Sequence, residues 1–182
     1  MRVFIAINLP LEVRKKIASL SKSFKLMESA KWINEDNLHL TLKFYGELSK
    51  QELEKINTLV PKALMDINPF EISFKNFGAF PSFKKPRILW LGVSEGSENL
   101  ITIAENIEKY SAECGFKTEE RKYHPHLTVG RFKMPKPIDD KTNTDTESFS
   151  FLCKKIDIME SILETDGPKY SITNSVKLGE TR

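Results

Sequence analysis

A four-residue phrase occurs twice in the chain, as His39-Leu40-Thr41-Leu42 and as His126-Leu127-Thr128-Val129. Both copies lie in stretches rich in Leu, Val, Thr and Phe, a composition that is typical of β-strands. Because residues i and i+2 of a strand point to the same face, each copy places an imidazole beside a hydroxyl. The aliphatic residues between them then point to the opposite face, into a core. The chain must therefore contain two strands that are each polar on one face and apolar on the other.

The distance between the two copies constrains the domain organisation. His39 and His126 are separated by about half of the 182-residue chain, which indicates two related lobes rather than a short-period repeat. No low-complexity linker divides the sequence, and its length suits one substantial domain. We therefore expect residues 1–182 to form a single domain made of two lobes.

Apolar periodicity predicts the other elements. Strands are expected at Met1 to Asn8, Leu38 to Tyr45, Phe70 to Phe74, Arg87 to Val93, Pro125 to Phe132 and Tyr170 to Val176, with one long or two short strands at Phe149 to Leu163. Three helices are expected, with apolar faces at Val13 to Phe24, Leu53 to Val60 and Leu100 to Tyr110. The stretches Asn76 to Pro86 and Pro135 to Glu147 are predicted to be loops, the second one mobile.

Local signals predict where the helices begin and end. Pro10 fits the first turn of the first helix. Ser49 and Glu52 have the spacing of a capping box for the second helix, which Pro61 is expected to kink or end. Ser97 is expected to cap the third helix and Gly115 to terminate it.

Composition restricts the cellular setting and the partners. The formal net charge of +3 permits an anionic ligand, but a dedicated nucleic-acid binder is usually more basic. No apolar run approaches the ~18–20 residues of a membrane span, and the apolar start of the chain is too short for a signal peptide. Cys114 and Cys153 form no disulfide framework. We therefore expect a cytoplasmic protein with no membrane association.

The two phrases together supply the groups for metal-free proton transfer around a phosphate. A single histidine in such a phrase would be weak evidence, but the chain has only three histidines and two of them share the same context. Imidazoles titrate near neutral pH and can act as general acid or base. The hydroxyls of Thr41 and Thr128 can donate hydrogen bonds to the developing negative charge. A joint catalytic role of His39 and His126 is therefore predicted.

Three neighbouring residues are secondary candidates. Arg131 follows the second phrase and is either a phosphate ligand or a surface charge. Lys43 shares the face of the first phrase by alternation, so it either points into the cleft or caps the strand edge. His124 lies on the face of His126 and is either a substrate contact or a strand-entry residue.

A metal site is the alternative interpretation of His124 and His126, because two imidazoles on one side of a strand can coordinate a metal. Neither cysteine nor any acidic cluster lies nearby to complete the ligand set. We therefore expect no metal and no other cofactor.

Basic and aromatic residues elsewhere in the chain have either a structural or an RNA-binding interpretation. The run Lys84-Lys85-Pro86-Arg87 is either a solvated loop or a guide for a polynucleotide backbone. Four aromatic residues are either core anchors or platforms for base stacking. These aromatic residues are Trp32, Phe77, Phe80 and Phe83.

The chain resembles the two-histidine (2H) phosphoesterase superfamily, and specifically its RNA 2′,3′-cyclic phosphodiesterase branch, also called the 2′-5′ RNA ligase family. The resemblance spans nearly the whole chain and is most specific in the paired phrases. The stretches that carry it are Met1 to Ile7, Trp32 to Gly46, Phe80-Pro81, Pro86 to Gly92, His124 to Arg131 and Gly167 to Tyr170.

This resemblance implies an α+β fold of two pseudo-symmetric lobes, each an antiparallel β-sheet backed by α-helices, with the active site in the cleft between them. It implies hydrolysis of RNA 2′,3′-cyclic phosphate ends to a 2′-phosphomonoester, with His39 as proton donor and His126 as proton acceptor. The residues alone leave this order open, because the two phrases are nearly symmetric. The expected partner is RNA with a 2′,3′-cyclic phosphate terminus, and the expected state is a monomer.

Four other functions use the same features. A 2′-5′ RNA ligase or a small cyclic-nucleotide phosphodiesterase would need the same His and Thr residues. A metal-dependent phosphoesterase would lose its activity on chelation. A non-catalytic RNA-binding module would not require both phrases intact, and their integrity argues against it.

Overall fold

The computed structural model describes residues 1–23, 30–134, 137, 148–165 and 167–179. Strands β1 to β9 are Arg2–Asn8, Ala30–Trp32, His39–Glu47, Phe70–Phe80, Ile88–Glu95, His126–Phe132, Phe149–Cys153, Lys155–Glu164 and Gly167–Lys177. Helices α1 to α3 are Leu11–Ser23, Lys50–Ala63 and Ser97–Glu113, and Glu35–Asn37 forms a 3₁₀ turn. Phe24, the last apolar residue predicted for α1, lies outside the described residues. So does the predicted loop Pro135 to Glu147, apart from residue 137.

The strands form two antiparallel sheets. The first sheet has the order β3-β1-β8-β9, and the second has the order β2-β6-β5-β4-β7. Helix α2 packs against α3, α3 against β3, and α1 against β7. The predicted α+β fold of two lobes, each with an antiparallel sheet and helices, is confirmed. Among the described residues, no helix combines the length and apolarity needed to cross a membrane.

The aliphatic residues of the two phrases are buried as the alternation predicts. Leu40, Leu42, Leu127 and Val129 all belong to one continuous core, to which both sheets contribute. Burial of each Leu or Val side chain is worth about 1.5–3 kcal/mol. The energy that holds each histidine strand in place therefore comes from its apolar face, and the polar face is left free for chemistry.

The helix boundaries agree with the sequence signals in part. The capping box of α2 is confirmed, with the Glu52 amide donating to Ser49 Oγ and the Ser49 amide donating to the Glu52 carboxylate. Pro61 was predicted either to end α2 or to kink it. It does not end the helix, because α2 continues to Ala63. A proline in the last turn removes only one backbone donor, and buried Val60 and Ala63 keep that turn packed.

Helix α3 ends as predicted but begins differently. Gly115 follows the C-cap with a φ of 84°, the left-handed conformation that terminates helices. At the other end the N-cap is Gly96, with a φ of 78°, and Ser97 is already the first helical residue. A Cβ at Gly96 would lie 2.4 Å from the carbonyl oxygen of Glu71, so a serine could not occupy this cap.

Pairing between distant segments extends one strand beyond its predicted end and decides between the two alternatives predicted for Phe149 to Leu163. Strand β4 continues to Phe80, so the loop predicted from Asn76 begins only after that residue. Asn76 has a φ of 62°, and the register with β5 shifts between Lys75 and Phe77, which marks a bulge. The stretch Phe149 to Leu163 forms two strands, of which β7 pairs with β4 and β8 with β1.

Candidate active site

A cleft of about 780 Å³ lies between the polar faces of the two sheets. All four residues of the predicted catalytic set line it, namely His39, Thr41, His126 and Thr128. The first two come from β3 in one sheet and the other two from β6 in the second sheet. The structure therefore brings together the side chains that the sequence pattern predicted to meet.

Both histidines are held in the same tautomer by the backbone. Nδ1 of His39 lies 2.7 Å from the carbonyl oxygen of Asn37, and Nδ1 of His126 lies 2.7 Å from the carbonyl oxygen of His124. A carbonyl oxygen can only accept, so Nδ1 donates in both rings. Nε2 is then the nitrogen that gains or loses the proton. The two phrases thus share a backbone contact at the residue two positions before each histidine.

Aromatic rings fix the orientation of His39. Its ring centroid lies 5.0 Å from that of Phe4 and 5.0 Å from that of Tyr170, which it meets at an interplanar angle of 83°. Such edge-to-face contacts are favourable and restrict rotation of the imidazole. Phe4 and Tyr170 also line the cleft. Tyr170 lies in the stretch that carries the family resemblance, but no local pattern marks it as a site residue.

His126 has an equivalent aromatic environment. Its ring lies 5.1 Å from Phe80 at 89° and 6.1 Å from Trp90 at 65°. The exposed ring of His124 stacks beside it at 6.3 Å, with an angle of 23°, but His124 is not among the residues that line the cleft. His124 therefore lies beside His126, outside the residues that line the cleft.

Burial lowers the pKa of both histidines. For His39 and His126, desolvation is the largest cause and lowers the pKa below the ordinary value of 6.5. The hydrogen bonds to Asn37 and His124 partly oppose it by favouring the protonated ring, and the nearby positive charge of Arg131 lowers both pKa values further. Neutral imidazole is therefore favoured in the free cleft.

A bulge in β3 overturns the prediction for Lys43. Thr41 pairs with Ala6 and Lys43 pairs with Ile5, so Leu42 is left without a partner and the alternation reverses after it. Lys43 then faces inward and is only 4% exposed, and Phe44 takes its place on the cleft. The prediction that Lys43 shares the cleft face is wrong for this reason.

Lys43 instead connects β3 to α3. Its Nζ lies 2.6 Å from Oε1 of Glu108 and donates to the carbonyl oxygen of Lys117 at 3.2 Å. A buried ammonium without such partners would be strongly unfavourable. The ion pair thus links β3, the strand that carries His39, to helix α3.

The same type of bulge places Arg131 in the cleft. In β6, Thr128 pairs with Trp90 and Gly130 with Leu89, so Val129 is extra. After this bulge the alternation reverses, and Arg131 lines the cleft five positions after its histidine, as Phe44 does in β3. The predicted candidate Arg131 is thus at the site, where β3 has Phe44 at the equivalent position.

The other aromatic and basic candidates differ in whether they line the cleft. Phe77 is buried and Phe83 packs on the core, whereas Trp32 both packs on the core and lines the cleft. Lys84 and Lys85 are exposed in the loop after β4 and are not among the residues that line the cleft. In the described part of the chain, no three or more His, Cys, Asp or Glu side chains are grouped as a metal site would require.

The sequence and the fold of this chain are both similar to those of known proteins. A family model described as the 2′-5′ RNA ligase superfamily matches residues 10–162. The RNA 2′,3′-cyclic phosphodiesterase of Methanocaldococcus jannaschii is 34% identical over 94% of this chain and 98% of its own length. The protein of the same name from Aquifex aeolicus is 30% identical over 98% of both chains. The crystal structure of Escherichia coli LigT complexed with 3′-AMP has a TM-score of 0.85 at 23% identity, covers 98% of both chains, and shows the same fold.

Proposed function

The chain belongs to the 2′-5′ RNA ligase superfamily, and from that premise we propose how its cleft hydrolyses a 2′,3′-cyclic phosphate at the end of an RNA. The enzyme is of the RNA 2′,3′-cyclic phosphodiesterase kind, as its relatives are. One observation carries the mechanism: two imidazoles, one from each sheet, line the same cleft with Nδ1 engaged and Nε2 available.

The proposed reaction has one histidine on each side of the phosphorus. Nε2 of His126 takes a proton from water, whose oxygen attacks the phosphorus. The bond from phosphorus to the ribose 3′ oxygen breaks, and Nε2 of His39 donates its proton to that oxygen. The product carries a 2′-phosphomonoester and a free 3′ hydroxyl. The attacking and leaving oxygens are in line, which suits histidines that come from opposite walls of a cleft.

Thr41, Thr128 and Arg131 are the proposed phosphate ligands. Each threonine lies two residues after its histidine on the cleft face, where its hydroxyl can donate to a non-bridging oxygen. Arg131 supplies positive charge from β6 and can bind the phosphate through two donors. Together these groups stabilise the negative charge that grows as water adds.

Product analysis tests the function directly. A short RNA with a 2′,3′-cyclic phosphate end should be converted to the 2′-phosphate. Joined 2′-5′ products on incubation with a 5′-hydroxyl RNA would show that the 5′ hydroxyl replaces water as the attacking group and would favour the ligase alternative. Binding without any turnover would favour a non-catalytic RNA-binding module. Equal use of small cyclic nucleotides would favour a mononucleotide enzyme.

We further propose that the enzyme acts as a cytoplasmic monomer. One chain supplies both histidines and both threonines to the cleft, so the catalytic set needs no second copy. Cys114 and Cys153 are unpaired, which suits a reducing compartment. Light scattering at the concentration used for activity would contradict the proposal if it gave a dimer mass.

Chelation should leave the activity unchanged. The proposed steps use imidazole, hydroxyl and guanidinium groups, and none of them needs a Lewis acid. Exhaustive treatment with EDTA followed by a hydrolysis assay is the measurement, with heat-denatured enzyme as the background. Loss of activity that one added divalent ion restores would establish the metal-dependent alternative.

The pH dependence of kcat/KM should be bell-shaped, with its maximum on the acidic side of about 6.5. One histidine must be protonated and the other neutral, and burial lowers both pKa values below 6.5 in the free enzyme. A bound phosphate favours imidazolium, so the kcat profile should lie at higher pH than the kcat/KM profile. The two apparent pKa values belong to the coupled pair.

Initial rates from about pH 5 to 9 measure this profile across the histidine range. The control is circular dichroism over the same range. Because the unfolded state binds more protons than these buried rings, the two histidines reduce stability as the pH falls below 6.5. A flat profile with the fold intact would contradict two-histidine acid–base catalysis.

A further inference from the structure

Strand β2 extends the second sheet by one strand beyond its histidine strand β6. Among the described residues, the first sheet has no corresponding strand beside β3. In the first sheet the histidine strand β3 is outermost, whereas in the second sheet β2 covers the outer side of β6. Lys31 of β2 pairs directly with Arg131 of β6. Directly opposed residues share a face, and both side chains line the cleft. The side of the cleft around His126 therefore carries two cations that lie directly opposite each other on neighbouring strands.

These two cations have no acidic partner within the described ranges. The cleft-lining carboxylates are already engaged, Asp36 with Arg14 at 3.3 Å and Glu164 with Lys169 at 2.6 Å. Lys31 and Arg131, in contrast, form no ion pair with any described residue. Like charges placed directly opposite each other on a sheet destabilise it. Such a pair is favourable when an anion lies between or beside the two groups.

The charge of the reacting group does not account for both cations. A 2′,3′-cyclic phosphate is a diester with a single negative charge, and it already has two hydroxyl donors and one guanidinium. In an RNA chain the next negative charge is the phosphodiester on the 5′ side of the terminal nucleotide. Paired strands are about 5 Å apart, so a long lysine side chain on β2 reaches beyond the phosphate held at β6.

We propose that Lys31, opposite Arg131, binds the phosphodiester that precedes the terminal nucleotide, so that the enzyme selects RNA chains over mononucleoside 2′,3′-cyclic phosphates. This inference rests on the proposed function and names the part of the substrate that the β2 edge recognises. On the side of the cleft formed by Phe4, Phe44 and Tyr170, Arg2 lies 5.1 Å from the centroid of the Phe44 ring and Lys169 pairs with Glu164. Among the described residues that line that side of the cleft, no two cations oppose each other directly across paired strands. The RNA chain thus leaves the cleft over β6 and β2.

Two substrates test the proposal on the intact protein: a trinucleotide with a 2′,3′-cyclic phosphate end and a mononucleoside 2′,3′-cyclic phosphate. Lys31→Ala should lower kcat/KM for the trinucleotide about tenfold, mainly through KM, as expected for one charge-assisted hydrogen bond. The mononucleoside should react within about twofold of the wild-type rate, since it lacks the preceding phosphate. Lys31→Arg should retain the trinucleotide activity. Lys62→Ala, an exposed lysine near the end of α2, is the matched control.

Salt dependence provides a second readout. Loss of one phosphate contact should reduce the slope of log KM against log salt for the trinucleotide by about 0.7, the value for a single strand. Equal losses on both substrates, or no loss on either, would overturn the proposal. If the wild-type enzyme hydrolyses neither substrate, the proposed function fails by itself. Fluorescence anisotropy with a trinucleotide 2′-phosphate then decides the inference: weaker binding by Lys31→Ala supports it, and equal binding overturns it.

Discussion

Replacing His39 or His126 by Ala should each reduce turnover about 10²–10⁴-fold, the range for a general acid or base. The two rings act on the same reaction from opposite walls of one cleft, each with Nδ1 held by a backbone carbonyl, so that Nε2 transfers the proton. Removal of either ring leaves the other without its complementary proton transfer. The double variant should therefore be little slower than either single variant.

The measurement is single-turnover hydrolysis of an RNA with a 2′,3′-cyclic phosphate end. His124→Ala is the matched control, because it removes an exposed imidazole and keeps the carbonyl that fixes His126. Its effect should be below about tenfold, far less than the loss of a general acid or base. Near-wild-type turnover in the folded His39 or His126 variant would eliminate that residue from the mechanism. Additive losses in the double variant would show that the two rings do not act as a unit.

Replacing Thr41 or Thr128 by Val should lower turnover about 10–10³-fold, up to the size of a lost oxyanion donor. Valine keeps the shape and strand preference of threonine but removes the hydroxyl. The backbone of this region is independently held, since the Tyr123 hydroxyl donates to the carbonyl oxygen of Thr41 at 3.0 Å. The loss should therefore appear in kcat with the thermal midpoint little changed.

Two control substitutions separate the effect of the hydroxyl from other effects. Thr→Ser at either position keeps the donor and should restore most of the activity. Thr58→Val on the exposed side of α2 is the control for the substitution itself. Unchanged rates in both Thr41→Val and Thr128→Val would show that these threonines serve only to form the strands.

Much of this protein follows from local pattern. Alternation in the two phrases predicts which face of β3 and β6 is buried, because a strand reverses its side-chain direction at every residue. The capping box at Ser49 and the stop at Gly115 also follow from local chemistry, since caps satisfy backbone groups within one turn. The duplicated phrase was therefore enough to predict the two lobes and the four residues that meet in the cleft.

Pairing between distant strands decided the remaining features of the site. The bulges at Leu42 and Val129 reverse the alternation, which buries Lys43 and brings Arg131 into the cleft. A bulge depends on the register with a neighbouring strand, so the residue order within one strand does not reveal it.

The contacts around the site have the same tertiary origin. The sequence does not show that Lys31 lies opposite Arg131, because the pairing joins segments that are far apart in the chain. Nor does it show that aromatic rings pack around His39 and His126. Burial of these two imidazoles lowers the pKa of each. Sequence alone determined which groups are present and that each histidine of the two phrases shares a face with its threonine. The tertiary structure determined their neighbours, because charge, desolvation and register depend on residues brought together only by folding.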